Sequence, residues 1–397
     1  VSGEPFFQPL KEVVPFMKIR GSWGLNGSTS NLSGYMYSNS IITSATGYPF
    51  TPSVALSYQT SAYPGQLYNP DLKWETSDQL DFGVDVRMFR DRFALTADWF
   101  RKDTRDLIVS HINVPYEAGN EASPINGGNI RNKGIELELS WKDRIGDVFY
   151  SVSGNLATLD NKVTYLSENV EGSRIWSSTS IKNIGAMNVF EKDYPIWYFR
   201  GYQLDHLDEN GAPVIKDNDG VEGINDNDKV MIGKPLPDYT YGITLTAAYK
   251  GFDFTVFANG SQGNDVWMCY SNRNVTYPLK SMYDQRWTSD NKNAKFAAPS
   301  HMTEDGLKYL GSDAFIFDGS NFRIRQIQLG YSVPESLLGK IALSQLRVYA
   351  SLDNFFLFTS YPGLDPEVSN NVVDGLGIDL GVYPTTKKVV FGVSVSF

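Results

Sequence analysis

The sequence predicts an all-β fold, an antiparallel sheet of about ten strands of the kind that forms a transmembrane β-barrel. Apolar residues recur at every second position in ten segments, which is the pattern of strands with one apolar and one polar face. Short connections alternate strictly with long ones, as in outer-membrane barrels with short periplasmic turns and long extracellular loops. Aromatic residues such as Trp99, Trp141, Tyr249 and Phe252 fall at strand ends on the apolar face, which is typical of membrane-interface girdles.

Each predicted strand shows the alternation directly. In GFDFTVFANGS, Phe252, Phe254 and Val256 share one face, while Asp253 and Thr255 share the other. The other strands are MKIRGSWGL, TSDQLDFGVDVRMF, RDRFALTADWF, KGIELELSW, VFYSVSGNLAT, TYGITLTAAY, RIRQIQLGYSV, LRVYASLDNF and KKVVFGVSVSF. A tilted strand needs about 9–11 residues to cross a bilayer, and these segments are of that order. The segment PESLLGKIAL is the only helix-like stretch, and it is short.

The connections determine which strand ends lie together. The short links are RDR before Phe93, KDRIGD before Val148 and KG before Phe252. The long links span residues 25–78, 104–133, 159–239, 263–321 and 356–387. Strict alternation places all short turns on one side of the sheet and all long loops on the other. A soluble β-sandwich or a large twisted sheet would show the same side-chain alternation, so the pattern alone leaves that alternative open.

Composition excludes several classes of protein. The 397 residues carry a net charge of −10, and a pI of about 4.9 argues against a surface that follows nucleic-acid phosphates. No run of about 18 apolar residues is present, so no helical membrane span is expected. The single cysteine, Cys269, cannot form an internal disulfide bond. His111, His206 and His301 lie far apart in the sequence, which disfavours a histidine-based metal or catalytic centre.

Seven segments, taken in order, are similar to those of one protein family. They are MKIRGSWGLNG, NPDLKWETSDQLDFGVD, NIRNKGIELEL, KVMIGKPLPDYTYG, FANGSQGNDVW, RIRQIQLGYSVP and YPGLDPEV, and the ending GVYPTTKKVVFGVSVSF also matches. The chain thereby resembles the SusC/RagA family of TonB-dependent outer-membrane transporters over nearly its whole length. One such segment would be weak support, whereas seven in the family order are specific.

This resemblance implies the C-terminal part of a larger barrel. Members of the family are much longer, and large outer-membrane transporters have about 22 strands around a plugged lumen. About ten strands supply only part of such a wall. We therefore expect residues 1–397 to be the C-terminal part of the barrel, with the plug domain, the TonB-contacting segment and the signal peptide absent from this sequence.

The resemblance also implies nutrient import across the bacterial outer membrane, typically of oligosaccharides and sometimes of peptides. A SusD-like surface lipoprotein would cover the mouth as a lid, the TonB complex would act through the missing N-terminal part, and outer-membrane lipid would surround the wall. No enzymatic activity, required cofactor or nucleic-acid partner is expected. The alternative from another class is a soluble or surface-attached β-rich glycan-binding module, which would stay dispersed without detergent.

A hydrolase is a third interpretation. Glu136 and Glu138 lie two residues apart on one strand face, roughly 6–7 Å from each other, which overlaps the carboxylate spacing of glycoside hydrolases. The same pattern places both as polar residues facing a barrel lumen, and no positioned catalytic partner is evident. The sequence therefore favours a non-enzyme.

The stretch DNDGVEGINDNDKV resembles a calcium-binding loop, and it predicts a structural Ca²⁺ site. Carboxylates at alternating positions around a glycine turn supply the oxygens that this ion prefers. The candidate ligands are Asp217, Asp219, Asn225 and Asp228. Val221 stands where a further oxygen is needed, and Glu222 stands where glycine is usual. A solvated acidic turn is the alternative.

Aromatic residues in the long connections are candidates for contact with substrate, since ring faces can stack on sugars. They are Trp176, Trp197, Tyr198, Trp267, Tyr270 and Trp287. The alternatives are residues that pack the loops together and anchors of the contact with the lid.

Overall fold

The computed structural model describes residues 1–32, 34, 38, 41–49, 58–65, 67–110, 112, 117, 122–181, 184–269, 279–298, 304–338, 343–368 and 375–397. The main feature is one antiparallel sheet in which ten strands follow each other in sequence order. We number them β1 (Phe16–Ser28), β2 (Glu75–Met88), β3 (Phe93–Val109), β4 (Ile125–Ile145), β5 (Val148–Thr158), β6 (Tyr239–Tyr249), β7 (Phe252–Gln262), β8 (Asn321–Ser332), β9 (Gln345–Thr359) and β10 (Lys388–Ser396). All ten strands predicted from the alternation are confirmed. Within the described ranges the sheet is open, with β1 and β10 at its edges.

Short turns join the strands at one end of the sheet, and long loops join them at the other. In the β2–β3 turn, residues 89–91 all have positive φ angles. In the β6–β7 turn, Lys250 and Gly251 have φ angles of 46° and 88°, as in the two-residue turns that suit hairpin twist. A side chain at Gly251 would lie 2.7 Å from the carbonyl oxygen of Ser332, so this position requires glycine. Local turn chemistry therefore sets the register of the hairpins.

The sheet has one apolar and one polar face. Leu245 of β6 lies between Val152 of β5 and Val256 of β7, and the next residue, Thr246, points to the opposite face. The apolar face has little cover among the described residues, and Phe391 of β10 is 80% exposed. A continuous apolar surface that extends over ten strands indicates contact with another apolar medium rather than with water.

Two rows of aromatic side chains border the apolar face. In the row near the short turns, Trp141 contacts Phe89 and Phe93 at ring distances of 6.1 and 6.5 Å. The row towards the long loops contains Trp23, Trp99, Tyr241, Phe322 and Phe358. The nine residues from Tyr241 to Tyr249 span roughly 26 Å along β6, which corresponds to a rise of about 20 Å for a strand tilted by about 40°. Since an outer-membrane barrel has an apolar band about 25 Å tall between such girdles, the separation of the two rows is of the order expected for the two membrane interfaces.

Two strands continue beyond the second aromatic row. Trp99, which was expected at a strand end, is followed by residues 100–109 of the same strand, and β4 is 21 residues long. A further strand, Asp160–Leu166, pairs with the first half of β4. The predicted strand end at Trp99 is wrong because backbone pairing continues after the apolar alternation has stopped.

The long loops contain secondary structure of their own. Their strands are Ile41–Pro49, Tyr58–Pro64, Arg174–Trp176, Ser180–Ile181, Gly185–Ala186, Asn188–Glu191, Tyr198–Gly201, Leu204–Leu207, Pro213–Ile215, Val230–Gly233, Asp265–Met268, Ile316–Asp318 and Ile378–Asp379. The described helices are Lys280–Asp284, Glu304–Leu310 and Glu335–Leu338, with 3₁₀ turns at Pro5–Leu10, Glu171–Ser173, Asp226–Asp228 and Asp313–Phe315. The expectation of a single helix-like stretch is wrong, because helices of one or two turns held by buried side chains such as Met282 and Tyr309 leave no periodic pattern. In this part of the chain no helix has the length and apolar character needed to cross a membrane.

Three of the long loops share one buried cluster, which we call the loop core. It contains Met187 and Phe199 of the β5–β6 loop, Val266, Trp267, Met268, Cys269, Met282, Phe296, Ala297, Tyr309, Leu310, Phe315 and Phe317 of the β7–β8 loop, and Tyr361 and Ile378 of the β9–β10 loop. A smaller cluster of Val109, Val163, Leu166, Val170, Ile175 and Phe190 lies beside the extended ends of β3 and β4. The outer end of the sheet therefore carries packed structure rather than separate loops.

Candidate functional site

Ion pairs cross the strands on the polar face of the sheet. The Arg20 guanidinium group of β1 lies 2.9 Å from the Asp85 carboxylate of β2 and 2.8 Å from that of Asp98 on β3. Near the opposite edge, Arg347 of β9 donates from Nε to Asp253 of β7 at 3.0 Å. Charged groups arranged in this way suit a water-filled lumen rather than a hydrocarbon surface.

A cavity of about 570 Å³ lies on the same polar face. Strands β3 to β7 supply most of its lining, including Asp98, Glu136, Glu138, Asn155, Thr240, Asn259 and Ser261, and Glu367 of the β9–β10 loop completes it. Glu136 lies opposite Asp98 in the β3–β4 register, and Glu138 lies opposite Thr96. Both glutamates therefore line an open, acidic groove, as the lumen-facing interpretation predicted.

Two arginines of β8 hold the β9–β10 loop against this face. Arg323 is 2% exposed and donates to Asp365 at 2.7 Å and to Glu367 at 2.9 Å. Arg325 pairs with the other oxygen of Glu367 and donates from Nε to Asn259 at 2.7 Å. We call these four charged residues, Arg323, Arg325, Asp365 and Glu367, the arginine clamp. The arginine clamp holds the YPGLDPEV segment against the polar face of the sheet and places Glu367 at the cavity.

Backbone donors complete the clamp at Asp365. The N–H groups of Glu367 and Thr385 donate to its carboxylate at 3.1 and 2.9 Å. Burial opposes ionisation, but the donors from Thr385 and Glu367, together with the positive charge of Arg323, lower the pKa of Asp365. Asp365 is therefore ionised at every pH at which an ordinary carboxyl group is ionised. The sequence analysis singled out both RIRQIQLGYSVP and YPGLDPEV but not the pairing between them, because the partners lie more than 40 positions apart in the chain.

Two of the predicted substrate-contacting aromatics are buried. Tyr198 is 0% exposed, stacks on Tyr194 at 4.6 Å and donates to Glu191 at 2.5 Å. Burial, and then the Glu191 carboxylate, raise the pKa of Tyr198. Trp267 is also 0% exposed, in the loop core, and its indole N–H donates to the carbonyl of Leu310. Neither ring offers a face to a substrate here, and this burial favours the alternative of loop packing for these two residues.

The other predicted aromatics are spread over the loops. Trp176 is half-buried, and the Lys229 ammonium group lies 5.6 Å from its ring. Trp197 is half-buried against Phe190 at 5.8 Å. Trp287 is half-buried where a side chain on Gly211 would collide with its ring, and Tyr270 lies outside the described residues. Substrate contact stays a prediction for Trp176, Trp197, Trp287 and Tyr270.

The acidic loop brings three predicted calcium ligands together. Carboxylate oxygens of Asp217, Asp219 and Asp228 all lie within 4.8 Å of one another. Asp228 is fully buried and accepts from the backbone N–H groups of Asn225 and Asn218 at 2.8 Å. The backbone donor of Asn225 lowers the pKa of Asp228, although burial acts in the opposite direction. The backbone donors of Asn218 and Asp219 lower this pKa further.

The Asn225 side chain lies beside these carboxylates and caps a turn. Its side-chain oxygen accepts from the N–H group of Asn227, and its amide nitrogen faces Asp219 at 3.2 Å. The geometry is that of a capped 3₁₀ turn at Asp226–Asp228. The three carboxylates supply oxygens of the kind that Ca²⁺ prefers, and calcium binding stays a prediction for Asp217, Asp219, Asn225 and Asp228.

Comparison with known proteins identifies the family. The model of the family described as TonB dependent receptor-like, beta-barrel, matches residues 12–355. The chain belongs to this family. TonB-dependent receptors of this kind are β-barrels of the bacterial outer membrane, so the apolar face of the sheet faces lipid and the polar face lines the lumen. The long loops are extracellular, and the short turns are periplasmic.

Several relatives agree with this assignment. TonB-dependent receptor P3 of Formosa agariphila is 30% identical over 356 residues, which cover 83% of this chain and 35% of the relative. TonB-dependent receptor SusC of Bacteroides thetaiotaomicron is 27% identical over 401 residues, which cover 97% and 38%. The solved structure of the RagAB peptide transporter matches with a TM-score of 0.79 at 21% identity, over 99% of this chain and 42% of that one. The resemblance to SusC/RagA proteins is confirmed, and the chain spans about two-fifths of the length of these relatives.

Proposed function

We propose that this chain forms the C-terminal part of the barrel wall of a TonB-dependent importer of the SusC/RagA type. In this proposal the rest of the protein supplies the remaining strands, the plug domain and the segment that contacts TonB. The observation that carries the proposal is the two-faced sheet, which combines a lipid-facing apolar band with a polar face that contains a 570 Å³ cavity. A soluble glycan-binding module would have to hide this apolar face from water, and the described loops leave it uncovered.

We further propose that a SusD-like lipoprotein closes over the extracellular loops. The support is that the three loops of the loop core present one packed surface, which a rigid lid can contact repeatedly. Glu136 and Glu138 give the cavity its acidic character, since Arg323 and Arg325 offset the charge of Glu367. An acidic cavity favours neutral or positively charged substrates over strongly anionic ones. Oligosaccharides and peptides both satisfy this condition, and the relative RagAB is named as a peptide transporter.

The proposal is tested in cells that carry the full-length gene and its neighbouring lipoprotein gene. Growth is measured on a panel of single oligosaccharides and peptides, in the wild type, in a deletion strain and in a strain whose protein lacks the TonB-contacting segment. We expect one substrate class to support growth only in the wild type, with the truncated protein still present in the outer membrane. Equal growth of all three strains on every substrate would refute the transport proposal.

A simple fractionation tests the glycan-binding alternative. The full-length protein should remain with the outer membrane after washing with high salt and carbonate, and detergent should be required to release it. Release into the aqueous fraction without detergent would favour a surface-attached module.

A further inference from the structure

The lipid-facing side of the sheet changes abruptly from apolar to charged on β3 and β4. Trp99 and Ile135 are paired neighbours at the level of the aromatic row that lies towards the long loops. The next outward pair is Arg101 with Lys133, and the pair after it is Asp103 with Arg131. Two strand residues correspond to roughly 7 Å, so the guanidinium groups lie immediately outside the hydrocarbon, at the level of lipid head groups.

This charged patch is local to part of the wall. One pair outward of Tyr241, the paired residues of β6 and β7 on the same face are Tyr239 and Gln262, and neither is charged. If charged residues simply marked the start of the aqueous region, they would occur at this level around the whole described sheet. Their restriction to β2–β4 points to a specific partner at this position.

A single carboxylate bridges two arginines in the patch. Asp103 accepts from Arg101 at 2.6 and 2.9 Å and from Arg131 at 2.6 Å. The Asp103 side chain is only 10% exposed, whereas those of Arg101 and Arg131 are 41% and 40% exposed. The negative charge therefore lies beneath the two positive ones, and the outer surface of the cluster is positive.

A third arginine extends the same arrangement. Arg105 is 52% exposed and pairs with Asp78, which is 23% exposed, at 2.8 Å. Three guanidinium groups thus face two carboxylates, which leaves an excess of one positive charge. Each guanidinium has five N–H donors, and Arg101 and Arg131 direct only part of theirs to Asp103. Donors remain for an external anion.

We propose that Arg101 and Arg131 form a binding site for a phosphate group of a phosphorylated glycolipid in the outer leaflet of the outer membrane. Guanidinium groups match phosphate oxygens in paired hydrogen bonds, and such bonds are strengthened by the opposite charges. The acyl chains of the same lipid would lie along the apolar face below Trp99. The position of the patch, its positive charge and the adjoining apolar surface therefore all fit one amphipathic ligand. A free anion would have no contact with the apolar surface.

The test uses the full-length protein in detergent, with diphosphoryl lipid A as the probe and native mass spectrometry as the readout. The main variant is R101Q combined with R131Q. The matched control is R92Q, because Arg92 is also an exposed arginine over a carboxylate, Asp143, but lies at the periplasmic rim. We expect the double variant to bind the lipid about tenfold more weakly or worse, and R92Q to bind like the wild type.

A second variant separates ligand binding from a purely structural role of the ion pairs. D103N removes the competing carboxylate, so a phosphate site should bind lipid A more tightly, whereas a structural network would only lose stability. This variant decides the matter alone if the double variant fails to insert into the membrane.

Three outcomes would overturn the proposal. They are unchanged binding by the double variant, equal binding of lipid A whose phosphates have been removed, and displacement of the lipid by millimolar inorganic phosphate, which would indicate a general anion site. Dimerisation of the wild type that is lost in the double variant, without a change in lipid binding, would assign the patch to a second copy of the chain instead.

Discussion

Replacing Arg323 by methionine tests whether the arginine clamp holds the β9–β10 loop inside the lumen. Methionine keeps most of the length of the side chain but removes its charge and its donors. Arg323 makes two charge-assisted hydrogen bonds, to Asp365 and Glu367, in a site where its own side chain is 3% exposed and that of Asp365 is 8% exposed. Each such bond contributes about 1.5–3 kcal/mol, and removal of one partner from a buried ion pair costs about 3–5 kcal/mol.

The expected result is local. Arg325 still reaches Glu367, and backbone donors still reach Asp365, so the lower part of that range is the better estimate. Since about 1.4 kcal/mol corresponds to a factor of ten, protection of the loop should fall by about a hundred-fold or more. The assay is hydrogen exchange with mass spectrometry on the full-length protein in detergent, followed in residues 361–368 and at Thr385.

The matched control is Arg347→Met. Arg347 pairs with Asp253 on the same polar face, but its side chain is 23% exposed and that of Asp253 is 30% exposed, so water compensates much of the loss. This variant should leave exchange in residues 361–368 unchanged. Equal protection of that segment in wild type and Arg323→Met would refute the clamp. Equal loss of protection in both variants would show that the loop depends on the whole polar face rather than on Arg323.

Three further predictions concern the wall and the acidic loop. On the lipid face, Leu245→Arg should destabilise the folded barrel by about 2–4 kcal/mol, whereas Thr246→Arg on the lumen face should be tolerated. The measurement is the folded fraction of each variant, determined from heat-modifiable mobility in gels. Equal effects of the two substitutions would contradict the assignment of faces. Because the folded-state pKa of Asp228 is lowered, its stabilising contribution is complete above the ordinary carboxyl pKa of 3.8 and is lost as the pH falls through the lower value. Hydrogen exchange of residues 217–228, corrected for the intrinsic effect of pH on the exchange rate, should therefore accelerate only at the acid end of a pH series, and Asp228→Asn should remove that dependence. Acceleration that begins already between pH 7 and 5 would count against it. Calcium should slow hydrogen exchange in the same segment, chelation by EGTA should reverse the effect, and Asp219→Asn should abolish it; exchange that is indifferent to calcium in the wild type would exclude the site.

The wall was predictable because its information is local. In a strand, alternate side chains point to opposite faces, so a segment such as that around Leu245 reveals its own conformation and orientation. The Lys250–Gly251 turn is equally local, since the positive φ angle of Gly251 depends on the residue itself. Where the pattern changes, this reasoning fails. The strand beyond Trp99 pairs through its backbone, which carries no sequence signal once charged residues replace apolar ones.

The loops were less predictable because their contacts join distant positions. Trp267 packs beside Leu310 and Ile378, and nothing near Trp267 in the sequence separates a buried ring from a ring that awaits a substrate. The arginine clamp has the same character, since Arg323 and Asp365 meet only after β9 has returned the chain to the outer end. In the acidic loop the carboxylates were correctly grouped by their spacing. The role of Asn225 could not be predicted, because the same oxygen can cap a turn or bind a metal.

The shared loop core has a consequence for how such proteins can diversify. Phe199, Trp267 and Ile378 come from three different loops, yet all three are fully buried in one shared cluster. A change of length in one loop would leave a void or a collision in the other two, at a cost of several kcal/mol for each large side chain. We expect the three loops to be inherited and exchanged together. An engineer who wishes to alter what the protein captures should transplant all three loops as one block, because grafting a single loop would disrupt the packing of its two neighbours.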